Sequence, residues 1–445
     1  MKICYRFGVF YQKKLFKKYK ELYDEIMVNA YMFELYEDAI TLFLLNIDKP
    51  YIIDPATFIF HTFPGILRNK HGEPKKHYKK LGQKYGTPFD SIVGKRRINP
   101  ADFNSLNNQE VDRLCERFIN YQKTRLASKI MKVRKYIVRY QKLKKQGKIT
   151  KKDSEFLEKF EGIIEKYNTE NIPRPERLIP PYFLAEYPSD PHFDLSLRLS
   201  KKCVQFKEDM DLYPVIFLSK EFLAYDNSID MIVDRYDWEG FDGYYIWIND
   251  FNEKFETLDH LQNLKILVNS LKERTSKPII NLYSGYFSVL LYHFGMTGIV
   301  SGICHSSSKN IFESTGKPPD KYYLNYVHLK AILEDAERIH RFYTDFTCKC
   351  PACREGISKA QRFLAKGHRI PGSPEKIFIS AGMDTESRGA HFLYSRKKET
   401  DEIIHKTLST SINELDNIIK ISNERNVPTV LLDRKILAIW INALS

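Results

Sequence analysis

The chain has 445 residues, 43% of them apolar, and a formal charge of +14 at pH 7 with a pI near 9.1. That length and apolar content bury one large core with appendages, or two domains, which excludes a disordered chain and a small scaffold dependent on disulfide staples. The excess of Lys and Arg favours a polyanionic partner, and seven cysteines without a regular framework fit a reducing compartment.

Taken in order, the chain opens on Met1-Lys2-Ile3-Cys4-Tyr5-Arg6, which lacks the apolar core of a signal peptide. No run approaches the roughly 18 apolar residues of a membrane span, so a cytoplasmic protein with no membrane partner is expected. Ala39 to Leu45 and Tyr51-Ile52-Ile53-Asp54 predict strands, the second stopped by Pro55. Asp54 then ends a strand where α/β barrels carry their chemistry, although an Asp-Pro pair also suits a turn or a helix cap. Residues 107–172 are helix-prone, with Leu114, Phe118, Tyr121, Leu126, Ile130, Val133, Ile137 and Tyr140 at steps of three to five, which predicts a helical hairpin turning at Gly147. Between Asn120 and Lys152 there is no acid, while Lys129, Lys132, Arg134, Lys135 and Arg139 stand in a dense positive field. A solvated face is the plain reading of a charge run. A run of one sign repels itself, however, and contact with nucleic-acid phosphates would relieve that.

After Pro173-Arg174-Pro175, the stretches Leu178 to Leu184, Pro214 to Leu218, Gly243 to Ile248 and Pro278 to Leu282 read as buried strands. A helix is expected from Thr257 to Arg274, with Leu258, Leu261, Leu264, Leu267 and Leu271 along one face. Strands alternating with helices, in about eight units, make a (β/α)8 TIM barrel the economical α/β fold. An open doubly wound sheet is the competitor, but no Gly-rich phosphate loop follows an early strand. Cys348, Cys350 and Cys353 follow, three thiols within six residues beside Pro351, a spacing that suits one tetrahedral structural zinc ion (Zn2+). His391, which opens an apolar run, is preferred as the fourth ligand over His368, which lies in a turn-like Lys-Gly-His-Arg context. Lys376 to Ser380 predicts a further strand, Ile403 to Ile419 an amphipathic helix from Thr400, and Val430 to Ala443 a closing apolar segment. The expected division is a first part of the barrel at 1–106, a basic helical insertion at 107–172, the rest of the barrel at 173–335, a zinc-binding subdomain at 336–400 and a helical end at 401–445.

The order of these features resembles the tRNA-guanine transglycosylase family: a strand ending in Asp54, then Phe241-Asp242-Gly243-Tyr244-Tyr245-Ile246, Pro278 to Gly285, Gly298-Ile299-Val300-Ser301-Gly302, Cys-x-Cys-x-x-Cys, and a His followed by apolar residues. The resemblance covers about 35–106 and 176–400. With no recognisable tRNA-binding extension, the chain looks most like the branch that inserts 7-deazaguanine bases into DNA. The resemblance implies a base exchange in which a carboxylate attacks the anomeric carbon, guanine leaves and a 7-deazaguanine such as preQ0 replaces it, chemistry close to glycoside substitution. It implies Asp54 as the acid/base and base-recognising carboxylate. The family's nucleophilic acid is missing from Ser301 to Lys309, which leaves Asp250 as nucleophile or as a base-recognising acid, His305 as acid/base or a plain loop residue, and Glu186 as a weak substitute for another purine-contacting acid. Trp247 and Asn249 stand in the replaced purine-binding segment, with Trp247 placed either to stack on a flipped base or in the core. Tyr283, Ser284 and Gly285 would let backbone approach the base, or form a simple turn. The partners implied are DNA before tRNA, the free base and, compatibly, a second copy in a homodimer. Loss of the nucleophile would instead leave a non-catalytic nucleic-acid-binding protein.

Overall fold

The structure, a computed structural model, describes residues 1–8, 12–146, 150–151, 171–303, 309–312, 319–365 and 373–445, with scattered positions between 154 and 167. Gly147, His305 and His368 lie outside the described residues. Among the described residues, seven strands of four to six residues take part in parallel ladders: β1 (Lys2–Phe7), β2 (Glu25–Asn29), β3 (Tyr51–Asp54), β4 (Val215–Ser219), β5 (Tyr244–Asn249), β6 (Ile279–Leu282) and β7 (Gly298–Gly302). The fold is mixed α/β of a partial TIM-like kind.

The chain divides into two compact units, one of residues 1–25, 184–193 and 215–445, the other of 26–183 and 194–214. In the first, the strand order is β1-β7-β6-β5-β4, with Lys2 opposite Gly298, Ile280 opposite Gly298, Tyr245 opposite Ile280 and Val215 opposite Tyr245. Every residue of β4, β5 and β6 is buried, as expected of parallel strands covered on both faces. The edge beyond β4 is held by one bridge, Ala185 to Leu218, in place of the strand expected over Leu178 to Leu184. Pro180 and Pro181 explain the shortfall, because neither can donate to a ladder. Only Arg177–Leu178 forms a two-residue strand, beside Asp211–Leu212 in the other unit. That second unit also holds the pair β2 and β3, with Asn29 opposite Asp54.

The helices correct several expectations. Ala39 to Leu45 is not a strand but part of helix α1 (Ala30–Ile47), and the run Ala-Ile-Thr-Leu-Phe-Leu-Leu is the buried flank of that helix. A short apolar run looks alike in a buried strand and a buried helix, and only its length in context separates them. The basic segment begins with helix α2 (Asn108–Lys145), of 38 residues; the described positions between 151 and 166 are also helical, and the turn expected at Gly147 lies outside the described residues. Helix α3 (Leu258–Thr275) matches its periodicity, with the Thr257 hydroxyl capping it by accepting the His260 N–H. After the antiparallel hairpin of β8 (Lys321–Leu324) and β9 (Leu329–Ile332) come α4 (Pro351–Ala365) and α5 (Pro374–Gly382). Lys376 to Ser380 therefore lies in a helix and not a strand: Pro374 stands in its first turn, where a missing N–H costs nothing. The single helix expected from Thr400 to Ile419 is two, α6 (Thr385–Ile403) and α7 (Leu408–Glu424), because Thr407 caps a new start. Helix α8 (Lys435–Leu444) closes the chain. Among the described residues no helix is long and apolar enough to cross a membrane.

Candidate functional site

Cys348, Cys350, Cys353 and His391 come together, with one ligand atom from each lying within 4.8 Å of all the others. Cys348 and Cys350 sit in the loop before α4, Cys353 in its first turn, and His391 on α6. Pro351 opens α4 and turns the chain so that Cys353 comes round beneath Cys350. Backbone amides of Cys350 and Cys353 donate to the sulfurs of Cys348 and Cys350, each at 3.5 Å. His391 Nδ1 stands 3.2 Å from the sulfur of Cys353 and 3.6 Å from that of Cys350. Atoms bound at about 2.0–2.3 Å to one tetrahedral ion stand about 3.5–3.8 Å apart, so the donor set fits such an ion.

The surroundings prepare His391 for this role. Its Nε2 lies 2.7 Å from the carbonyl oxygen of Tyr323, which assigns the proton to Nε2 and leaves the Nδ1 lone pair facing the thiols. The Tyr322 ring stacks on the imidazole at 4.6 Å with an interplanar angle of 2°. The three thiols cannot ionise independently: hydrogen bonds from Cys350 and Cys353 hold Cys348 far below the usual thiol range, and hydrogen bonding with Cys348 and Cys350 pushes Cys353 well above it. A cation among them would remove that competition. The cluster can hold a metal ion through four protein ligands, a closed set with no open position for chemistry.

The carboxyl ends of the strands carry the other candidates. In the second unit Asp54 ends β3 and is 1% exposed. Its Oδ1 accepts from the Ala56 N–H at 2.8 Å and from the Tyr182 hydroxyl at 2.7 Å. The first of these bonds is the local turn that an Asp-Pro pair was expected to make, and Ala56 completes it with φ of 54°. The second is a long-range contact that holds the carboxylate in a fixed orientation.

In the first unit Trp247 is fully buried, stacked on Phe217 at 3.9 Å and 4.8 Å from the Tyr283 ring. Two cations meet this aromatic row: Arg6 lies 4.4 Å from the Tyr283 centroid, and Lys309 lies 5.7 Å from Trp247 and 5.9 Å from Tyr283. Trp247 thus takes the core position of the two open to it. Asn249 is buried, and its Oδ1 accepts from the Ile311 N–H at 3.0 Å, pinning the segment 309–312. Asp250, directly after β5, is exposed, has φ of 56° and donates its N–H to the Lys309 carbonyl at 2.9 Å. Tyr283 also has positive φ, 60°, a conformation rare for an aromatic residue and found where a site over-determines the backbone. Ser284 is committed to the fold, its hydroxyl donating to the Asn281 carbonyl at 2.7 Å. Gly285 donates its N–H to Glu253 Oε1 at 2.8 Å, and a Cβ there would stand 2.3 Å from Glu253 Oε2. This glycine therefore exists to admit Glu253. Glu186 contributes its backbone N–H to Asp190 at 2.9 Å.

Much of the basic helix is answered within its own unit. Arg125 pairs with Glu34 at 3.0 Å and Glu37 at 2.9 Å, and Lys129 pairs with Glu37 at 3.5 Å and also with Asp38. Lys132 reaches Glu37 at 3.8 Å, and Arg134 donates to the Tyr167 carbonyl. Lys135 and Arg139 are exposed. The acids missing from α2 after Glu116 stand on α1, so self-repulsion along α2 does not by itself require a polyanion.

Arg6, Lys309, Glu253 and Tyr182 were not singled out from sequence. Arg6 belongs to β1, whose six residues begin with a Lys and carry an Arg near their end, and its partner Tyr283 is nearly three hundred residues away. Glu253 had one local signal, an acid in the loop after a strand that is apolar up to its last residue, Asn249. Compared with known proteins, the chain matches no family model and no curated protein sequence.

Proposed function

We propose that this chain is a zinc-stabilised transglycosylase that exchanges guanine in DNA for a 7-deazaguanine base, on a barrel of the (β/α)8 kind. The observation that carries the reading is the Cys348, Cys350, Cys353 and His391 cluster placed after a series of parallel strands, together with the resemblance of the strand motifs. Zinc is the ion that three thiolates and one imidazole in a closed tetrahedral set favour. Its role is to fasten the loop before α4 to α6.

For the chemistry, an Asp250 oxygen attacks C1′ of the target nucleotide, the bond from C1′ to N9 breaks with its electron pair going to N9, and guanine departs after taking a proton from solvent, which the N9 proton of the incoming base later restores. The incoming base gives up its N9 proton, N9 attacks C1′, and the bond to Asp250 breaks; no oxidant or further reactant is needed. Asp250 suits the attacking role because it is exposed directly after β5. Asp54 suits recognition of base N–H donors because its orientation is fixed by Tyr182 and Ala56. The exposed Lys135 and Arg139, in preference to Lys129, are the phosphate contacts on α2.

Trapping tests this reading. Wild-type protein with duplex DNA and no incoming base should form a covalent protein–DNA adduct that Asp250→Ala abolishes. An adduct with tRNA alone would assign the tRNA reaction, and no adduct with either polymer would favour a non-catalytic nucleic-acid-binding protein.

A further inference from the structure

A cavity of about 280 Å³ lies in the first unit between the loops after β5 and β6, the β8–β9 hairpin and α8. Its floor is built of buried charge. Glu253 is 3% exposed, its Oε1 accepts from Gly285 N–H and from the Ser288 hydroxyl, and its Oε2 has no hydrogen-bond partner. Arg396, 1% exposed, donates to the Gly285 carbonyl at 3.2 Å and pairs with Glu399 at 3.1 Å, while its Nε has no partner. A buried carboxylate oxygen and a buried guanidinium N–H left unmatched beside a cavity cost free energy that a bound polar group would recover.

One wall is aromatic: Tyr286 and His328 stack at 3.6 Å with an interplanar angle of 6°, next to Trp440. The rim is cationic. Lys254 and Lys321 both line the cavity, and burial followed by repulsion from Lys321 lowers the Lys254 pKa, with Asp335 and Asp433 only partly offsetting it. Counting Lys330 and Arg396, four cations line the space against Glu253 and Asp335. A space this small, just under the usual range of ligand pockets, admits one ring with short substituents.

We propose that this cavity binds a small aromatic phosphate ester, its phosphate between Lys254 and Lys321, its ring along Tyr286 and His328, and an N–H or O–H donor at its far end facing Glu253. Two lysines match the charge of a phosphate dianion, which relieves their mutual repulsion as well as neutralising the ligand. The site is independent of the base-exchange reading and stands whether or not that reaction occurs.

Isothermal titration of the full chain with 4-aminophenyl phosphate, aniline and inorganic phosphate tests it. The phosphate ester should bind at least tenfold more tightly than either fragment, and Lys254→Glu or Lys321→Glu should each weaken it at least tenfold with an unchanged melting temperature. Absence of binding at millimolar concentration, affinity equal to that of inorganic phosphate, or full affinity in both variants would overturn the proposal. If one variant is unstable, the other carries the comparison.

Discussion

Replacing Cys350 by Ser removes one sulfur from the Cys3His cluster and almost no volume, so if the cluster holds an ion the effect reads out ligation and not packing. Cys350 is half-buried, its sulfur accepts from the Cys353 amide at 3.5 Å, and it lies 3.6 Å from His391 Nδ1. A structural zinc ion contributes about 10–16 kcal/mol of binding free energy to a folded site, or about 3–4 kcal/mol for each of four ligands. That is a large part of the roughly 5–15 kcal/mol by which a domain is stable. At about 2–4 °C per kcal/mol for a large domain, Cys350→Ser should lower the melting temperature by about 6–16 °C. The assay is a thermal melt beside metal analysis of the same sample, with Lys349→Ala as control, since Lys349 is exposed between two of the ligands. Wild type should hold about one zinc per chain. A Cys350→Ser protein with wild-type metal content and melting temperature, or a metal-free wild type of full stability, would refute the reasoning.

Three further outcomes follow from the packing. Gly285→Ala places a Cβ 2.3 Å from Glu253 Oε2 and 2.9 Å from its carboxyl carbon, so it should destabilise the first unit by about 1–3 kcal/mol in denaturant melts; an unchanged midpoint would show that Glu253 moves freely. Arg125→Met leaves the buried Glu34 without its cation and should cost about 3–5 kcal/mol, whereas Arg139→Met, at an exposed position, should be silent in the same melt. Burial raises the Glu253 pKa against the opposing hydrogen bonds from Ser288 and Gly285. The folded state therefore holds that proton more tightly than the unfolded chain, and the associated stability is present at low pH and lost as pH rises through the raised folded value. Glu253→Gln should remove that part of the pH dependence and gain relative stability on the alkaline side, and parallel curves of melting temperature against pH for the two proteins would contradict this.

What the sequence made legible follows from the range of the interactions. The strands Tyr51–Asp54, Val215–Ser219, Tyr244–Asn249 and Ile279–Leu282 are continuous apolar runs bounded by turn residues, a signal contained within each segment. The cluster able to hold a metal ion was legible for the same reason: Cys348, Cys350 and Cys353 stand out by their spacing, and His391 was distinguished by the apolar run that seats it on α6. The strands β1 and β2 were missed because charged and amide residues interrupt or end their apolar runs, Lys2 and Arg6 in one and Glu25 and Asn29 in the other. Ala39 to Leu45 and Lys376 to Ser380 were misread because an apolar run this short does not separate a strand from a helix segment. Which cations of α2 are answered within the fold was not legible, since the partner acids Glu34, Glu37 and Asp38 stand about ninety residues earlier. Contacts such as Glu253 with Gly285, or Arg6 with Tyr283, depend on which strands become neighbours, and no local pattern encodes that.

The central claim is base exchange in DNA, and nucleoside analysis by mass spectrometry tests it most directly. Duplex DNA incubated with the protein and a 7-deazaguanine base, then digested, should yield the 7-deazaguanine deoxynucleoside together with an equal amount of released guanine, and both should vanish with Asp250→Ala. Exchange into tRNA and never into DNA, or exchange undiminished in the Asp250→Ala protein, would contradict the account.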